Sequence, residues 1–276
     1  MTSLSACGHL YVCATPIGNL SDASPRLVET LQNVAYIAAE DTRVTKKLCE
    51  QFNLKADMIS VHQHNELSRV ALIRGYLQSG KSVAMVSDAG TPNISDPGAL
   101  LVESLAKEGF SVVPIAGPSA LTTLLSISGM RCDAFHFAGF FPKKDSEALQ
   151  ALEKWRPLQT PVVCFETSLR LIKTLNWLNL TGQVASMVLA KELTKHYETV
   201  YRGTISEILT QIGEKSLKGE WCFAIKLKEP QGPDPAVLAH LVQDLYSQGL
   251  TNRQILHVTK LLKHPKNTVY DLLRHD

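Results

Sequence analysis

Gly75, Gly80, Lys81 and Ser82 in GYLQSGKS fit G-x-x-x-x-G-K-[ST], the spacing of a loop that cradles nucleotide phosphates. That chemistry needs a strand entering the loop and a helix leaving it, so that backbone N–H groups and a helix N-terminus converge on phosphate oxygens. Here the order is reversed. Val70, Ile73 and Leu77 recur at helical spacing before Gly80, and the apolar run SVAMVS after it predicts a strand. The stretch therefore predicts a helix stop, with Gly80 in the left-handed conformation past the helix end and Lys81 a cation near its negative terminus. Cys7, Cys13, Cys49, Cys132, Cys164 and Cys222 form no C-x-x-C pair and no ligand-like spacing with histidine. Cys13 and Cys164 lie in apolar runs, where cysteine acts as a small hydrophobe. The expectation is a reduced, cytoplasmic protein without a structural metal.

Five other stretches combine small residues with polar ones: TPIGNLSD (15–22), AEDTR (39–43), HQHNE (62–66), SDAGTPNISDPG (87–98) and AGPSA (116–120). Each follows a predicted strand, namely LYVCAT (10–15), VAYIAA (34–39), MISVH (58–62), SVAMVS (82–87) and SVVPIA (111–116). Helical patterns over 24–32, 42–51, 66–79 and 97–108 alternate with them. Such alternation predicts a parallel sheet covered on both faces. In that architecture all five loops fall at the carboxyl edge, where ligands bind. Turns ask for Gly, Pro, Asn and Asp on backbone grounds, but they do not ask for five such loops on one edge.

From residue 134 the pattern changes. FHFAGFF (135–141), PVVCFE (161–166), SMVLAK (186–191), ETVYRG (198–203) and WCFAIK (221–226) predict strands, and 145–154, 168–178 and 204–213 predict helices. No helix separates the strands across 191–203, so the second sheet should be mixed. Gly117-Pro118 marks the expected junction and KEPQGPDP (228–235) a linker. Helices are then expected at 236–247, 251–262 and 267–274. The predicted fold is α/β, with an N-terminal α/β domain (1–117), a second α/β domain (118–230), and a linker with a three-helix extension (231–276). That extension resembles a helix-turn-helix module with a basic stripe of Arg253, Lys260, Lys263, Lys266 and Arg274. Residues 251–276 hold five Lys/Arg against two Asp, so the excess of a chain whose net charge is +2 sits at this end. It fits either a nucleic-acid contact or a helical cap or dimerisation element. At 276 residues, 45% hydrophobic and 20% charged, the composition is that of a globular protein with a sizeable core. No apolar run approaches membrane-span length, and MTSLSACGHL lacks the pattern of a secretory signal.

LYVCATPIGNLSD, AAEDTR, HQHNE, VSDAGTPNISDPG, PIAGPSAL, GFFPKK, AKELTKHYETVYRGT and KGEW, in this order from Leu10 to Lys228, resemble the bacterial 16S rRNA 2′-O-ribose methyltransferases of the tetrapyrrole methylase superfamily. The resemblance implies two α/β domains with S-adenosylmethionine in the cleft between them, and a homodimer acting on a cytidine of small-subunit rRNA. It places the cofactor against Pro16 and Ile17, against Asp88, Gly90, Thr91 and Ile94, and against Ser119 and Ala120. Phe165, Ala190 and Trp221 would line the adenosyl pocket from the second half. The superfamily also contains methyltransferases of tetrapyrroles and of a modified histidine, and a non-catalytic nucleic-acid-binding protein is a further alternative. Transfer to a ribose 2′-hydroxyl is an in-line displacement in which positioning could supply about 7–11 kcal/mol and a base roughly 10²–10⁴-fold. Asp41, Lys191 and Glu192 are the candidates for that base. Arg43, Lys143, Lys144, Arg170, Lys195 and Arg202 are candidate phosphate contacts, and Phe140 or Phe141 could stack a base. ETSLRL (166–171) departs from the family's E-S-P-H-R-like turn. Glu166 and Arg170 remain, while Ser168 and Leu169 stand near the proline and histidine positions.

Overall fold

The computed structural model describes residues 7–229, 235–262, 264 and 266–274. β1 (Leu10–Cys13), β2 (Tyr36–Ala39), β3 (Asp57–Ser60), β4 (Val83–Val86) and β5 (Val112–Ile115) form a sheet in the order β3-β2-β4-β1-β5. Every neighbouring pair is parallel. All four residues of β4 are buried, because successive side chains enter different cores. Ala84 and Val86 pack with Leu27 and Leu31 of α1 (Pro25–Asn33) and Leu48 of α2 (Thr42–Gln51). Val83 and Met85 pack with Ile73 and Leu77 of α3 (Glu66–Gln78) and Leu101 and Leu105 of α4 (Ala99–Lys107).

The helix ends follow local chemistry. The Ser24 hydroxyl accepts from the Leu27 N–H at 3.1 Å, with Pro25 opening α1. α3 stops where the phosphate-loop pattern lies. Gly80 has φ +80°, its N–H donates to the Leu77 carbonyl, and the Lys81 N–H donates to the Tyr76 carbonyl, both at 3.0 Å. This double bond pattern closes a helix. Lys81 lies over the Tyr36 ring.

The second sheet holds β6 (His136–Phe140), β7 (Val162–Thr167), β8 (Val184–Lys191), β9 (Thr199–Gly203) and β10 (Glu220–Leu227), in the order β6-β7-β10-β8-β9. β6 runs parallel to β7 and the other pairs are antiparallel, so the sheet is mixed. One face carries α6 (Asp145–Trp155), α7 (Leu171–Thr181) and α8 (Ile205–Ile212) around Phe141 and Phe223. The other packs on a helix the sequence did not suggest, α5 (Ala120–Ser126), whose Leu121, Leu124 and Leu125 meet Val163, Val188, Ala190 and Ala224. Ile17 of the first lobe joins this cluster, so the two lobes share a core.

α9 (Pro235–Ser247), α10 (Asn252–Leu261) and α11 (Lys266–Leu273) bury Leu238, Val242, Ile255 and Val269 in a separate cluster. Thr251 and Gln254 cap α10 reciprocally. Arg253, Lys260 and Arg274 are exposed, while residues 230–234 of the expected linker, Lys263 and the Lys266 side chain lie outside the described residues. Among the described residues no helix is long and apolar enough to cross a membrane.

Candidate functional site

A cleft of about 480 Å³ opens where the carboxyl edge of the first sheet faces the second lobe. The first lobe contributes Ile17, Glu40 and the 88–96 loop, and Ser119, Ala120 and Leu121 at the start of α5 line the cleft just past the junction between the lobes. The second contributes Phe140, the 165–168 segment, Leu193 and the 219–222 segment. Four of the five polar loops reach it. HQHNE does not: it follows β3, the edge strand at the far end of the sheet from β5, whose loop does reach the cleft. Its residues serve the fold instead: Asn65 accepts from the His62 N–H at 2.8 Å, and buried Glu66 accepts from the Leu101 N–H at 2.9 Å, capping α4.

The 88–98 loop is held in a conformation that ordinary sequences avoid. Gly90, Asn93, Ser95 and Gly98 have φ of +78°, +71°, +68° and +124°. The glycines adopt this region freely, but Asn93 and Ser95 do so at a cost, and such non-glycine residues cluster at ligand sites. Thr15 and Gly90 exchange backbone hydrogen bonds of 2.8 and 3.0 Å, tying the loop to the turn after β1, and the Thr91 hydroxyl donates to the Pro118 carbonyl at 3.2 Å. A Cβ on Gly90 would stand 3.3 Å from Ile17 Cγ2.

Electrostatically the cleft is one-sided. Glu40, Asp88, Asp96, Glu166 and Glu220 line it, and among the described residues no lysine or arginine does. Glu166 accepts from Thr174 Oγ1 at 2.6 Å and pairs with Arg170 at 3.2 Å, and Glu220 pairs with Lys195 at 3.0 Å. Burial pushes Glu40 above the usual carboxylate range, and the charges of Asp96 and Asp88 add to the push. Burial, with the Asp41 charge added, raises Asp88 against the Asp41 N–H that donates to its Oδ1 at 3.0 Å. Burial also raises Asp96, the Ser87 hydroxyl opposes, and the Asp88 charge adds. Such a cleft suits a cationic, partly apolar guest and repels phosphates.

Of the residues expected around the cofactor, Ile17, Asp88, Gly90, Thr91, Ile94, Ser119, Ala120, Phe165 and Trp221 line this cleft. Pro16 is buried outside the lining, and Ala190, fully buried, lies in the shared core paired with Cys222. The three expected bases are engaged elsewhere. Asp41 caps α2, accepts from the Arg43 N–H at 2.8 Å, and takes Arg43 Nε and Nη2 at 3.0 and 2.6 Å. Those guanidinium and backbone donors hold its carboxyl down to about 2. Lys191 donates to the Ser216 carbonyl and sits over the Trp221 ring at 5.6 Å. Glu192, at φ +52°, accepts from the Glu220 N–H at 2.7 Å and from Lys195 at 3.1 Å, bonds that outweigh its burial and lower its pKa.

Among the expected phosphate contacts, Arg43 is highly exposed yet paired with Asp41, and Lys144 pairs with Glu147 at 2.9 Å. Lys143 is exposed beside it. Arg170 donates to the Phe141 and Pro142 carbonyls at 2.7 and 3.0 Å, and Arg202 to the Ile127 carbonyl at 2.7 Å. Lys195 lies between Glu192 and Glu220. The lining acids Glu40, Asp96 and Glu220 were not among the expected site residues, and of these Glu40 lies next to one that was. Its signal was its place at the end of β2, one residue before the acid that was chosen.

The family model for Tetrapyrrole (Corrin/Porphyrin) Methylases matches residues 9–209. The protein is 40% identical over 273 residues to "Ribosomal RNA small subunit methyltransferase I" of Synechocystis, covering 96% of this chain and 97% of that protein. It is 37% identical over 272 residues to the Bacillus subtilis protein of that name, covering 96% and 93%. Its fold is similar to solved structures of diphthine synthase (TM-score 0.61, 13% identity, 79% of this chain and 89% of that one) and of cobalt precorrin-4 methyltransferase (0.57, 16%, 78% and 94%). The chain belongs to the tetrapyrrole methylases, within the branch that holds the ribosomal RNA small subunit methyltransferase I proteins.

Proposed function

We propose that this protein is an S-adenosylmethionine-dependent methyltransferase acting on the ribose 2′-hydroxyl of a cytidine in 16S rRNA. The observation that carries it is the interlobe cleft, acidic along its lining, without lysine or arginine among the described residues, and formed by loops within the span that the family model matches. The group fits: the volume lies in the range of about 300–1,000 Å³ usual for small-ligand sites, and the carboxylates favour a guest with ammonium and sulfonium charges. Asp88 and Asp96 would offset its positive charge, and Gly90, Thr91, Leu121, Phe165 and Trp221 would form the walls that hold it. When bound, S-adenosylmethionine supplies an electrophilic methyl group.

The chain's own part is to hold the ribose hydroxyl in line and take its proton. Glu40 performs the second task, because it faces the cleft with no cation beside it and its raised pKa brings it closer to neutrality. Asp41 positions Asp88 and Arg43 rather than accepting the proton. Phosphates stay outside the acidic cleft, near Lys143 and the exposed cations of α10 and α11. On this reading the lobes are residues 1–117 and 118–230, and the enzyme works in the cytoplasm as a homodimer.

Incubation of 30S particles from a strain lacking this methylation with labelled S-adenosylmethionine tests the proposal. Label in 16S rRNA at one alkali-resistant internucleotide bond is expected. Label on a tetrapyrrole and none on rRNA would overturn it.

A further inference from the structure

Phe140 and Phe141 are neighbours with opposite fates. Phe141 is 3% exposed and packs against Trp155, Trp177 and Phe223. Phe140 is 53% exposed, yet it lines the cleft. Strand alternation separates their faces, and a bulge aims the second ring. The β6–β7 register shifts between Phe137 and Phe140, with Gly139 at φ +69° in between. Bulges on edge strands re-aim side chains beside active sites, and β6 is the edge of its sheet. Across the cleft, a Cβ on Gly139 would stand 3.7 Å from Ser95 Oγ of the cofactor loop. The Phe140 ring meets Phe165 edge-on at 5.8 Å, which fixes its tilt and leaves a face toward solvent.

The surroundings narrow what that ring can receive. Among the described residues five acids and no lysine or arginine line the cleft, two of the acids being paired with Arg170 and Lys195 outside the lining, so charge does not draw a nucleotide in. Entry must rest on apolar and stacking contact. A cofactor's walls are largely covered, as Trp221 is at 3% exposure, whereas a half-exposed ring suits a guest that comes and goes. Ile94, 39% exposed, lines the same cleft, and Leu169, 96% exposed, follows the lining residue Ser168. Lys143 is exposed three residues from Phe140. We propose that Phe140 is the stacking platform for the base of the target nucleotide, splayed out of the RNA so that its ribose reaches the cleft while its phosphates stay outside.

This inference rests on the proposed RNA reaction. Its test compares wild type, Phe140→Ala and Phe140→Tyr on 30S particles at saturating S-adenosylmethionine, with cofactor affinity measured separately by calorimetry. Loss of one base–aromatic stack is worth roughly 5–150-fold. Phe140→Ala should therefore raise KM for the particle by that factor, leave cofactor Kd within about twofold, and be rescued by Phe140→Tyr. A matching loss of cofactor affinity in Phe140→Ala would assign the ring to the adenine and overturn the inference. So would an unchanged KM, or no rescue by tyrosine. If wild type leaves 16S rRNA unlabelled, the proposed function falls and the inference with it.

Discussion

Glu40 and Asp41 are adjacent carboxylates at the end of β2, and their surroundings make them different acids. Asp41 lies under the Arg43 guanidinium at the start of α2, while Glu40 faces the cleft, where burial and then the charges of Asp96 and Asp88 disfavour its ionised form. Successive residues leaving a strand point to opposite sides, so a shift of one position separates a helix cap from a cleft-lining acid. AEDTR alone does not show which of its two acids faces the cleft. Glu40→Gln should lower single-turnover methyl transfer by about 10²–10⁴-fold with cofactor affinity retained. The wild-type rate should climb with pH through the raised Glu40 pKa, since only the carboxylate accepts a proton, and the glutamine variant should lose that limb. An equal rate in Glu40→Gln would exclude the role. Stability moves the other way. A folded-state pKa above the unfolded value means that Glu40 favours folding at acid pH and costs stability once pH rises through its raised value. Glu40→Gln should therefore raise Tm at neutral pH, by calorimetry, while lowering activity. Asp41 has the opposite sign. Its contribution is present above pH about 3.8 and is lost as pH falls through about 2.

Among the elements, the segment after β4 carries the greatest local demand, with four residues at positive φ between Gly90 and Gly98. Gly90→Val puts a branched side chain where φ is +78° and Ile17 Cγ2 is 3.3 Å from the added Cβ. It should weaken S-adenosylmethionine binding more than tenfold by calorimetry. Unchanged affinity would place the donor elsewhere. SDAGTPNISDPG was legible as a loop of unusual backbone because glycine, asparagine and proline record backbone demands directly in sequence. The strands were legible too, since burial on both faces makes them continuous apolar runs. α5 was not: ALTTLLS is seven residues long, too short for clear helical periodicity, and it follows Gly117-Pro118, which reads as a break. The β6 bulge was equally hidden, because FHFAGFF satisfies a strand pattern with or without it. The engagements of Glu192 and Lys195 were also beyond reach. They depend on Glu220, brought beside them by the β8–β10 pairing across more than 20 positions of chain.

At the scale of the whole molecule, the division of labour is one of charge. The cleft is acidic, so attraction for an RNA backbone has to come from elsewhere, and Arg253, Lys260 and Arg274 are exposed on α10 and beyond α11. The core of these helices, Leu238, Val242, Ile255 and Val269, is separate from the clusters of the two lobes. Removing residues 231–276 should therefore leave cofactor affinity near wild type while raising KM for the 30S particle. Changing the three cations to alanine tests the cause without deleting a fold. Each lost phosphate contact lowers the slope of log K against log salt by about 0.7–0.9, so the triple variant should flatten it by roughly 2–3. The apolar side chains exposed on the same helices, Tyr246 and Leu261 among them, offer the competing account of a dimer contact. In that case the truncated protein would become monomeric by light scattering while the triple variant kept the full salt slope. Binding measured from 50 to 200 mM salt, read beside the mass of the truncated protein, separates the two, because a phosphate contact changes the first and a dimer seam changes the second.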